Sequence, residues 1–348
     1  MGKNEIIVSF CIPSYNRAEM TVIMVNSILE YKGDDIEVIV TEDSSTDDTV
    51  ERLEKIDDPR LRVIVNQERK GGAGNMTESL RFGEGKYSFV AFSREKLKGD
   101  RIKDLVDFLK QDEFSLVYCC EDKRDHEHFF FKDGMSAARE WAYAWLHPTG
   151  LTFNTKELLQ IIDNVNSEDA SEKYLYFPHD FWITELCLKG KGKFARYNKI
   201  VRIRAEEKYI KNSSSANVNY KNDCWFYPKG RLNQFSKYMA HLNNLDTDNK
   251  VKTDLLYWTY LRTLALSTLS YKAMAADEKT CTHWKMQPKN VSFMEVMNAA
   301  DLVKKSTKEI MSKYDYHLSG FRKLRLEFPR AETFLRYIKY KADRLVRK

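Results

Sequence analysis

The first half of the chain alternates short apolar runs with amphipathic segments. Residues 6–12 and 36–40 are rich in β-branched side chains, as buried strands are. Between these runs, four apolar residues recur at helical spacing and stop shortly before Gly33, namely Val22, Val25, Ile28 and Leu29. Such β-α-β alternation predicts an α/β fold with a mostly parallel central sheet.

The same alternation continues to residue 120. Strands are predicted at residues 61–65, 88–93 and 115–120, with a helix over 100–110 between the last two. Another helix is predicted to begin near Ser45, because Ser45 and Asp48 have the spacing of a capping box. Ligands of parallel sheets bind outside the carboxyl ends of the strands, so the segments after residues 12, 40, 65 and 92 form the candidate site.

The strand pattern ends near residue 212, and helical patterns follow. We therefore expect one domain over residues 1–212 and a helical C-terminal region over residues 213–348. Residues 255–276 are strongly apolar, but Arg262 and Lys272 interrupt the run. The uninterrupted pieces are too short to cross a membrane, so a buried helix is predicted there.

Composition indicates an ordinary globular protein, with 43% hydrophobic and 31% charged residues. The first residues lack the basic start and long apolar stretch of a secretory signal, so we expect a cytoplasmic location. The six cysteines have no metal-binding spacing, which favours reduced, structural thiols. Nothing in the sequence predicts a nucleic-acid partner, and the oligomeric state is left open, with a homo-oligomer as one alternative.

Positive charge is concentrated at the C-terminus. Residues 320–348 contain ten Lys and Arg but three Asp and Glu, whereas the net charge of the whole chain is +6. Five apolar residues recur there at helical spacing: Phe334, Leu335, Ile338, Ala342 and Leu345. This basic amphipathic helix is predicted to dock on the anionic inner face of the cell membrane. The alternative is that its apolar stripe packs on preceding helices or on another subunit.

One short segment directly after the first apolar run is distinctive, namely Pro13-Ser14-Tyr15-Asn16-Arg17. It resembles the opening of the family 2 glycosyltransferases of the GT-A fold, in which an apolar strand precedes Pro-[ST]-[YF]-Asn. Later segments follow in the order of that family: residues 38–47, 66–75 and 85–87, and then residues 148–154, which are similar to the Thr-Gly element of the bacterial capsule and cell-surface polysaccharide branch. The resemblance covers roughly residues 5–210.

The resemblance implies an inverting enzyme that transfers one sugar, of hexosyl or N-acetylhexosaminyl type. The donor would be a UDP-sugar, and the acceptor a glycan or a lipid-linked molecule in surface polysaccharide synthesis. The alternative function is a non-catalytic subunit that retains the fold and acts in binding or assembly.

The nucleotide site is expected at the ends of the first two strands. Asp43 can accept the N3–H of uracil, Tyr15 offers an apolar face to the base, and Pro13 fixes the loop. The resemblance adds Glu42 and Asn75 to this set. The alternative is that Glu42, Asp43 and Ser45 only begin a helix. The glycines at positions 71, 72 and 74 are expected to form a tight loop near the nucleotide, since the chain has neither a GxGxxG segment nor a phosphate-binding P-loop.

The sequence departs from the family where the family holds its metal. An Asp-x-Asp motif normally binds Mn²⁺ or Mg²⁺ there, but this chain has Ser93, Arg94, Glu95 and Lys96. Fixed basic groups can also neutralise a leaving diphosphate, so Arg94, Glu95 and Lys96 are the candidate diphosphate-binding residues. Three hypotheses stay open: metal-independent transfer, a metal held through Glu95, and a non-catalytic relative. No cofactor is therefore predicted with certainty.

The remaining candidates concern the acceptor. Asp180, in a segment that precedes an apolar helical pattern, is the predicted general base, and His179 is the second candidate. Either residue can instead serve only the structure, Asp180 as a helix cap and His179 as a packed side chain. His147, Thr149 and Gly150 are predicted near the sugar or the acceptor, whereas Trp145 is expected in the core. The basic run Arg202, Arg204, Lys208 and Lys211 is a candidate lid.

Overall fold

The computed structural model describes residues 5–120, 128–163, 177–199, 202–204, 224–283 and 286–346. Lys208, Lys211 and the polar run at 212–215 lie outside these residues. The chain forms two compact units, one of residues 1–141 and 145–214, and the other of residues 142–144 and 215–348. The first unit contains the sheet, and the second is helical.

The sheet of the first unit begins as four parallel strands in the order β3-β2-β1-β4, each joined to the next by a helix. The strand and helix positions predicted for this part of the chain are confirmed within a few residues. The elements are β1 (Val8–Ser14), α1 (Ala18–Leu29), β2 (Ile36–Glu42), α2 (Thr49–Glu54), β3 (Leu61–Val65), α3 (Gly71–Arg81) and β4 (Tyr87–Val90).

The sheet continues beyond β4 to eight strands in the order β3-β2-β1-β4-β8-β6-β9-β7, in which β8 runs antiparallel to both of its neighbours. Two further strands, β5 and β10, form a separate antiparallel ribbon. The elements are β5 (Glu95–Leu97), α4 (Ile102–Lys110), β6 (Phe114–Cys119), β7 (His128–Phe130), α5 (Gly134–Trp141), β8 (Leu151–Asn154), α6 (Thr155–Ile162), α7 (Pro178–Lys189), β9 (Lys193–Tyr197) and β10 (Arg202–Arg204).

The central strands are buried on both faces, which explains their continuous rather than alternating apolar pattern. Phe10, Val38, Phe89 and Val117 have no exposed surface, and α1 and α4 cover this core with Met24, Ile28, Leu105 and Leu109. The six cysteines all lie within the described residues and form no disulfide. Five are buried, and Cys120 is half-buried.

Two local predictions were wrong, namely the capping box at Ser45 and the tight glycine loop at residues 71–74. The capping box is absent, because the N–H and hydroxyl of Ser45 both donate to the Glu42 carboxylate, and α2 begins only after Asp48. The glycines at 71–74 form the first turn of α3 rather than a tight loop. Asp43 caps that helix from β2, by accepting the N–H groups of Lys70 and Gly71. In both cases an acidic residue at the end of β2 takes the donors, Glu42 over three residues and Asp43 over 27 and 28, and the spacing used for the predictions does not reveal either contact.

The second unit is a helical core. Residues 255–276 form the predicted helical segment, which contains a π-helical turn at Leu266–Ser270. Twelve of its 22 residues are buried, whereas Ala273 and Ala276 near its end are exposed. No helix in the described part of the chain has the length and apolarity needed to cross a membrane. The helices are α8 (Pro228–Asn244), α9 (Asn249–Ala265), α10 (Tyr271–Ala276), α11 (Glu278–His283), α12 (Phe293–Tyr314), α13 (Gly320–Glu327) and α14 (Pro329–Val346).

Candidate functional site

The strand order opens a crevice between β1 and β4. The ladder between these strands stops at the pair Cys11 and Val90, whereas β1 stays paired with β2 as far as Ser14 and Glu42. The chain runs from β1 to β2 and β3 on one side and then returns to β4 on the other side of β1. The space between β1 and β4 is therefore the topological switch point, where open α/β sheets bind ligands. Pro13 lies in β1 beyond the last pair with β4, so its missing N–H costs no hydrogen bond to that strand.

Asp43 lies at the carboxyl end of β2 and is almost completely buried. Its Oδ1 accepts from Asn66 Nδ2 at 3.0 Å and from the N–H of Lys70 at 2.7 Å, while its Oδ2 accepts from the N–H of Gly71 at 2.9 Å. A carboxylate offers about four acceptor positions. Asp43 can therefore accept one more donor, such as a base N–H, while it holds the start of α3.

Asn75 and Glu42 are occupied within the protein. Asn75 Nδ2 donates to the carbonyls of Ser14 and Thr41, and its Oδ1 accepts from Asn66. Both amide protons are therefore used, and Asn75 braces the ends of β1 and β2. Glu42 accepts from Ser45 and is buried. In this structure both predicted nucleotide ligands position the strand ends.

Tyr15 is half-buried beside the crevice, and the guanidinium of Arg69 lies 4.1 Å from its ring centroid. This is a cation–π contact on the surface predicted to face the base. Arg69 is exposed, so its side chain can leave the ring at modest cost. Arg69 was not predicted, because nothing in its spacing marks it as a neighbour of Tyr15.

Arg94, Glu95 and Lys96 follow β4 and enter β5. The backbone of β5 pairs with β10, which sets Glu95 opposite Arg204 and Leu97 opposite Arg202. Arg94 lies over the ring of Phe92 at 5.8 Å, and Lys96 is exposed. Glu95 Oε1 lies 3.4 Å from His147 Nε2, so the structure brings two predicted site residues together.

These residues do not fit the dication that the family normally holds. The only carboxylate of the segment at 93–96 is flanked by two basic residues. Within the described residues, no group of three or more His, Cys, Asp or Glu side chains converges on one point. Divalent cations of this class are held mainly by carboxylates and carbonyls, so the local chemistry favours an anion.

Thr149 and Gly150 shape the crevice from the adjoining turn. The N–H of Phe92 donates to Thr149 Oγ1 at 3.0 Å, and the N–H of Gly150 donates to the carbonyl of Val90 at 3.0 Å. Gly150 has a φ of +103°, and a Cβ there would lie 1.9 Å from the carbonyl oxygen of Cys119. Only glycine fits this position. Both residues are buried and position Phe92 and the segment after it.

His179 and Asp180 lie in the first turn of α7 and hold the loop that carries His147. His179 Nε2–H donates to the carbonyl of Leu146 at 2.9 Å, and the N–H of Trp145 donates to Asp180 Oδ1 at 3.1 Å. Trp145 has a φ of +54°, a conformation that is uncommon for a bulky residue. Its ring packs against Phe177 at 4.2 Å, which agrees with the predicted packing role.

The side chains of His179 and Asp180 are shielded from solvent. Asp180 has no exposed surface, and His179 is almost fully buried. Burial lowers the pKa of His179 to about 4, although the bond to Leu146 opposes that shift. His179 is therefore neutral at pH 7 and a weak proton acceptor.

One basic residue of the crevice was missed, although it lies in the distinctive segment. Arg17 follows β1 and caps the start of α1 with its backbone. Burial, and then the charge of Arg94, lower the pKa of Arg17 to about 10. The sequence could have indicated Arg17, because it follows the carboxyl end of the first strand. Arg94 follows the carboxyl end of β4, which is the parallel neighbour of that strand.

Comparison with known proteins agrees with this architecture. The sequence model described as glycosyl transferase family 2 matches residues 9–167. UDP-Glc:alpha-D-GlcNAc-diphosphoundecaprenol beta-1,3-glucosyltransferase WfaP of Escherichia coli is 31% identical over 112 residues, which are 32% of this chain and 45% of WfaP. Succinoglycan biosynthesis protein ExoO of Rhizobium meliloti is 29% identical over 100 residues, 29% of each chain. The similarity thus spans less than half of either relative.

A solved structure extends the likeness of fold to most of the chain. TarS 1-349 of S. aureus has a TM-score of 0.58 at 16% identity, with 94% of this chain and 88% of TarS 1-349 covered. That protein was also solved in complex with UDP and with UDP-GlcNAc. Together with the sheet order, these findings show a GT-A fold, in which the segment at residues 9–167 is similar to glycosyl transferase family 2.

Proposed function

We propose that the chain transfers one sugar from a UDP-sugar to a glycan or lipid-linked acceptor, with inversion, in bacterial surface polysaccharide synthesis. The observation that carries the proposal is the crevice at the switch point, where Tyr15, Asp43 and Arg94 follow three neighbouring strands. The names of WfaP and ExoO and the UDP complexes of TarS support the donor and the pathway class.

In this proposal the uridine lies beside Tyr15 and donates its N3–H to Asp43. The one acceptor position left on Asp43 suits a single N–H group. The ring of Tyr15 becomes available when Arg69 moves aside, and the guanidinium is then free to approach the ribose or the phosphates.

The diphosphate lies toward Arg94 and Lys96. When the bond between the anomeric carbon and the diphosphate oxygen breaks, the electron pair stays on UDP, and the added negative charge needs neutralising. The basic residues that replace the metal-binding aspartates supply positive charge directly. We propose that transfer does not require a divalent ion.

Asp180 is the proposed general base. The acceptor hydroxyl attacks the anomeric carbon from the face opposite UDP, which inverts that carbon, and its proton passes to the Asp180 carboxylate. Asp180 has no exposed surface in the ligand-free chain, and the N–H of Trp145 covers one oxygen. Catalysis therefore requires the loop at residues 145–148 to move when substrates bind.

The experiment is a transfer assay with a panel of UDP-sugars, run in EDTA and in Mn²⁺. The expected result is turnover in EDTA that falls in the variants Arg94→Ala and Lys96→Ala, because their charges replace that of the cation. Arg52→Ala, which removes an exposed charge paired with Asp48 on α2, is the control and should keep full activity. Turnover that stops in EDTA and returns with Mn²⁺ would rule out metal-free transfer.

The buried Asp180 and the absent Asp-x-Asp motif favour one alternative function, a non-catalytic binding or assembly subunit. It predicts nucleotide binding without turnover of any donor. A thermal-shift titration with UDP, GDP and dTDP separates the cases, because at equal concentration the nucleotide that binds more tightly raises the melting temperature more. UDP should give the largest shift, and a larger shift with GDP would overturn the assignment of Asp43.

We also propose that the C-terminal helix docks at the inner face of the cell membrane, where a lipid-linked acceptor would lie. The side chains of Phe334, Leu335 and Ile338 are 47%, 66% and 49% exposed, so much of this part of the apolar stripe remains accessible to solvent. The side chains of Ala342 and Leu345 lie outside the described residues. The ten basic residues of the segment at 320–348 suit an anionic surface.

A further inference from the structure

Two arginines follow the two strands that border the crevice. Cys11 of β1 and Val90 of β4 are the last paired residues of their ladder, and Arg17 and Arg94 come six and four residues later. Parallel neighbouring strands end at the same edge of a sheet, so both arginines belong to the carboxyl edge at the switch point. This edge is where α/β folds hold the charged part of a nucleotide.

The positive charge of Arg94 acts on Arg17. The charge of Arg94 acts together with burial to hold the pKa of Arg17 well below its ordinary value. Among the described residues, no carboxylate forms a salt bridge with Arg17, and its Nε is buried without a hydrogen-bond partner. The neighbouring Ser93 hydroxyl is likewise fully buried and has no partner within the described part of the chain.

Arg17 is a partly buried cation beside a second positive charge, and it has no salt bridge among the described residues, which is unfavourable in the ligand-free protein. Either residue alone could turn into solvent, but Arg17 is anchored because Asp47 accepts the N–H of Ala18 and the carbonyl of Arg17 accepts from Thr21. An anion with several oxygens would offset the repulsion and satisfy the donors. Guanidinium groups suit phosphate oxygens because they present two parallel N–H donors.

We propose that Arg17 and Arg94 form one anion site that binds the diphosphate of the donor. This inference rests on the proposed function for the identity of the donor. It makes Arg17, which lies in the opening segment, a binding residue. It also makes Arg17, rather than the exposed Lys96, the main partner of Arg94. The site takes the place of the cation that the residues at 93–96 do not fit.

The test measures binding to the full chain in EDTA at low ionic strength, by calorimetry and thermal shift, with inorganic pyrophosphate, UDP and uridine as probes. The wild-type chain should bind pyrophosphate and UDP. Arg17→Gln should weaken both about 10- to 100-fold, as loss of charged hydrogen bonds does, and leave uridine binding unchanged. Arg94→Gln should give the same pattern and serves as the second variant if Arg17→Gln does not fold.

Arg101→Gln is the matched control, with the same change of charge. Arg101 forms a salt bridge with Asp104. It lies two residues after Gly99, and Gly99 packs near the end of α1, because a Cβ added to it would lie 2.7 Å from the carbonyl oxygen of Ser27. Ser27 lies ten residues, or about 15 Å, along α1 from Arg17, so Arg101 is remote from the proposed site. Its binding of all three probes should match that of the wild type.

The outcomes separate this site from the proposed function. Unchanged pyrophosphate binding in both arginine variants would overturn the anion site and leave the UDP-sugar donor standing. Pyrophosphate binding that depends on both arginines, without binding of UDP or uridine, would support the site and overturn the donor. If the wild-type chain does not bind pyrophosphate at low ionic strength, the anion site is refuted, whether or not UDP binds.

Discussion

His179 and Asp180 show how two adjacent side chains can control a loop. They leave the same turn of α7 and bind the backbone of Trp145 and Leu146, directly before His147. A residue in the left-handed region costs about 1–3 kcal/mol, so these bonds must hold Trp145 against its own preference. The structure thus gives both predicted catalytic residues a positioning role, which the sequence predicts only as an alternative.

The pH dependence of stability should reveal the burial of His179. Its pKa is about 4 in the folded chain and 6.5 in the unfolded chain, so only the unfolded chain binds the proton between these values. The contribution of the neutral, buried His179 to the free energy of unfolding is fully present above pH 6.5 and is lost as the pH falls toward 4. From pH 7 to 5, urea unfolding of wild type should lose about 2 kcal/mol more than that of His179→Gln. Gln keeps a donor for Leu146 but does not titrate, so equal losses would contradict the burial.

Asp180→Asn separates the two roles of Asp180. Asn keeps an oxygen that can accept from Trp145, so thermal stability and UDP binding should change little. It cannot accept the proton, so transfer should fall by a factor of about 10² or more. A variant with normal turnover would remove Asp180 from the chemistry, and its role would then be confined to the loop.

At the scale of elements, local patterns predicted most strands and helices of the first unit because apolar runs record burial directly. The role of the polar residues was less predictable. Asp43 caps a helix that begins 28 residues later, and Asn75 reaches back to β1 and β2. These contacts depend on which strands are neighbours. The pairing of Glu95 with His147 is long-range in the same sense, whereas Arg17 lay within a segment already singled out.

The junction of β4, β6 and β8 depends on Gly150. Gly150→Ala should lower the free energy of unfolding by more than about 2 kcal/mol, because the new Cβ meets the Cys119 carbonyl and φ is positive. Gly72→Ala is the control: a Cβ there meets nothing within 4 Å, and alanine favours helix α3. Chemical denaturation of both variants measures the difference. A harmless Gly150→Ala would mean that the turn can rearrange.

At the scale of the molecule, the two units differ in electrostatic character. The net positive charge of the chain lies in its last helices, and so do several exposed large apolar residues, including Phe321 and Leu324 on α13 and Phe328 directly after it. Exposed apolar residues next to basic ones are typical of surfaces that meet anionic lipid. Removal of all of α14 would be a poor test, because Thr333 is buried and Glu332 pairs with Arg325 and Arg336.

Point variants test membrane docking more cleanly. Leu335→Glu combined with Ile338→Glu changes two exposed side chains and should leave the fold intact. Wild type should float with vesicles containing anionic lipid, and the double variant should not, since each charge opposes both insertion and attraction. Phe129→Glu, at an exposed apolar residue of β7, is the control and should float as wild type does. Flotation of the double variant at wild-type levels would assign the contact to another surface.

The burial of the cysteines has a practical consequence for spectroscopy. Thiol reagents attack the thiolate, and burial raises the pKa of Cys119 to about 12 and that of Cys224 to about 11, with Cys11, Cys187 and Cys281 also raised. Cys120 is the most accessible of the six. A single fluorophore can therefore be attached at the end of β6 without removing any other cysteine, which gives distance measurements a fixed reference point in the native chain.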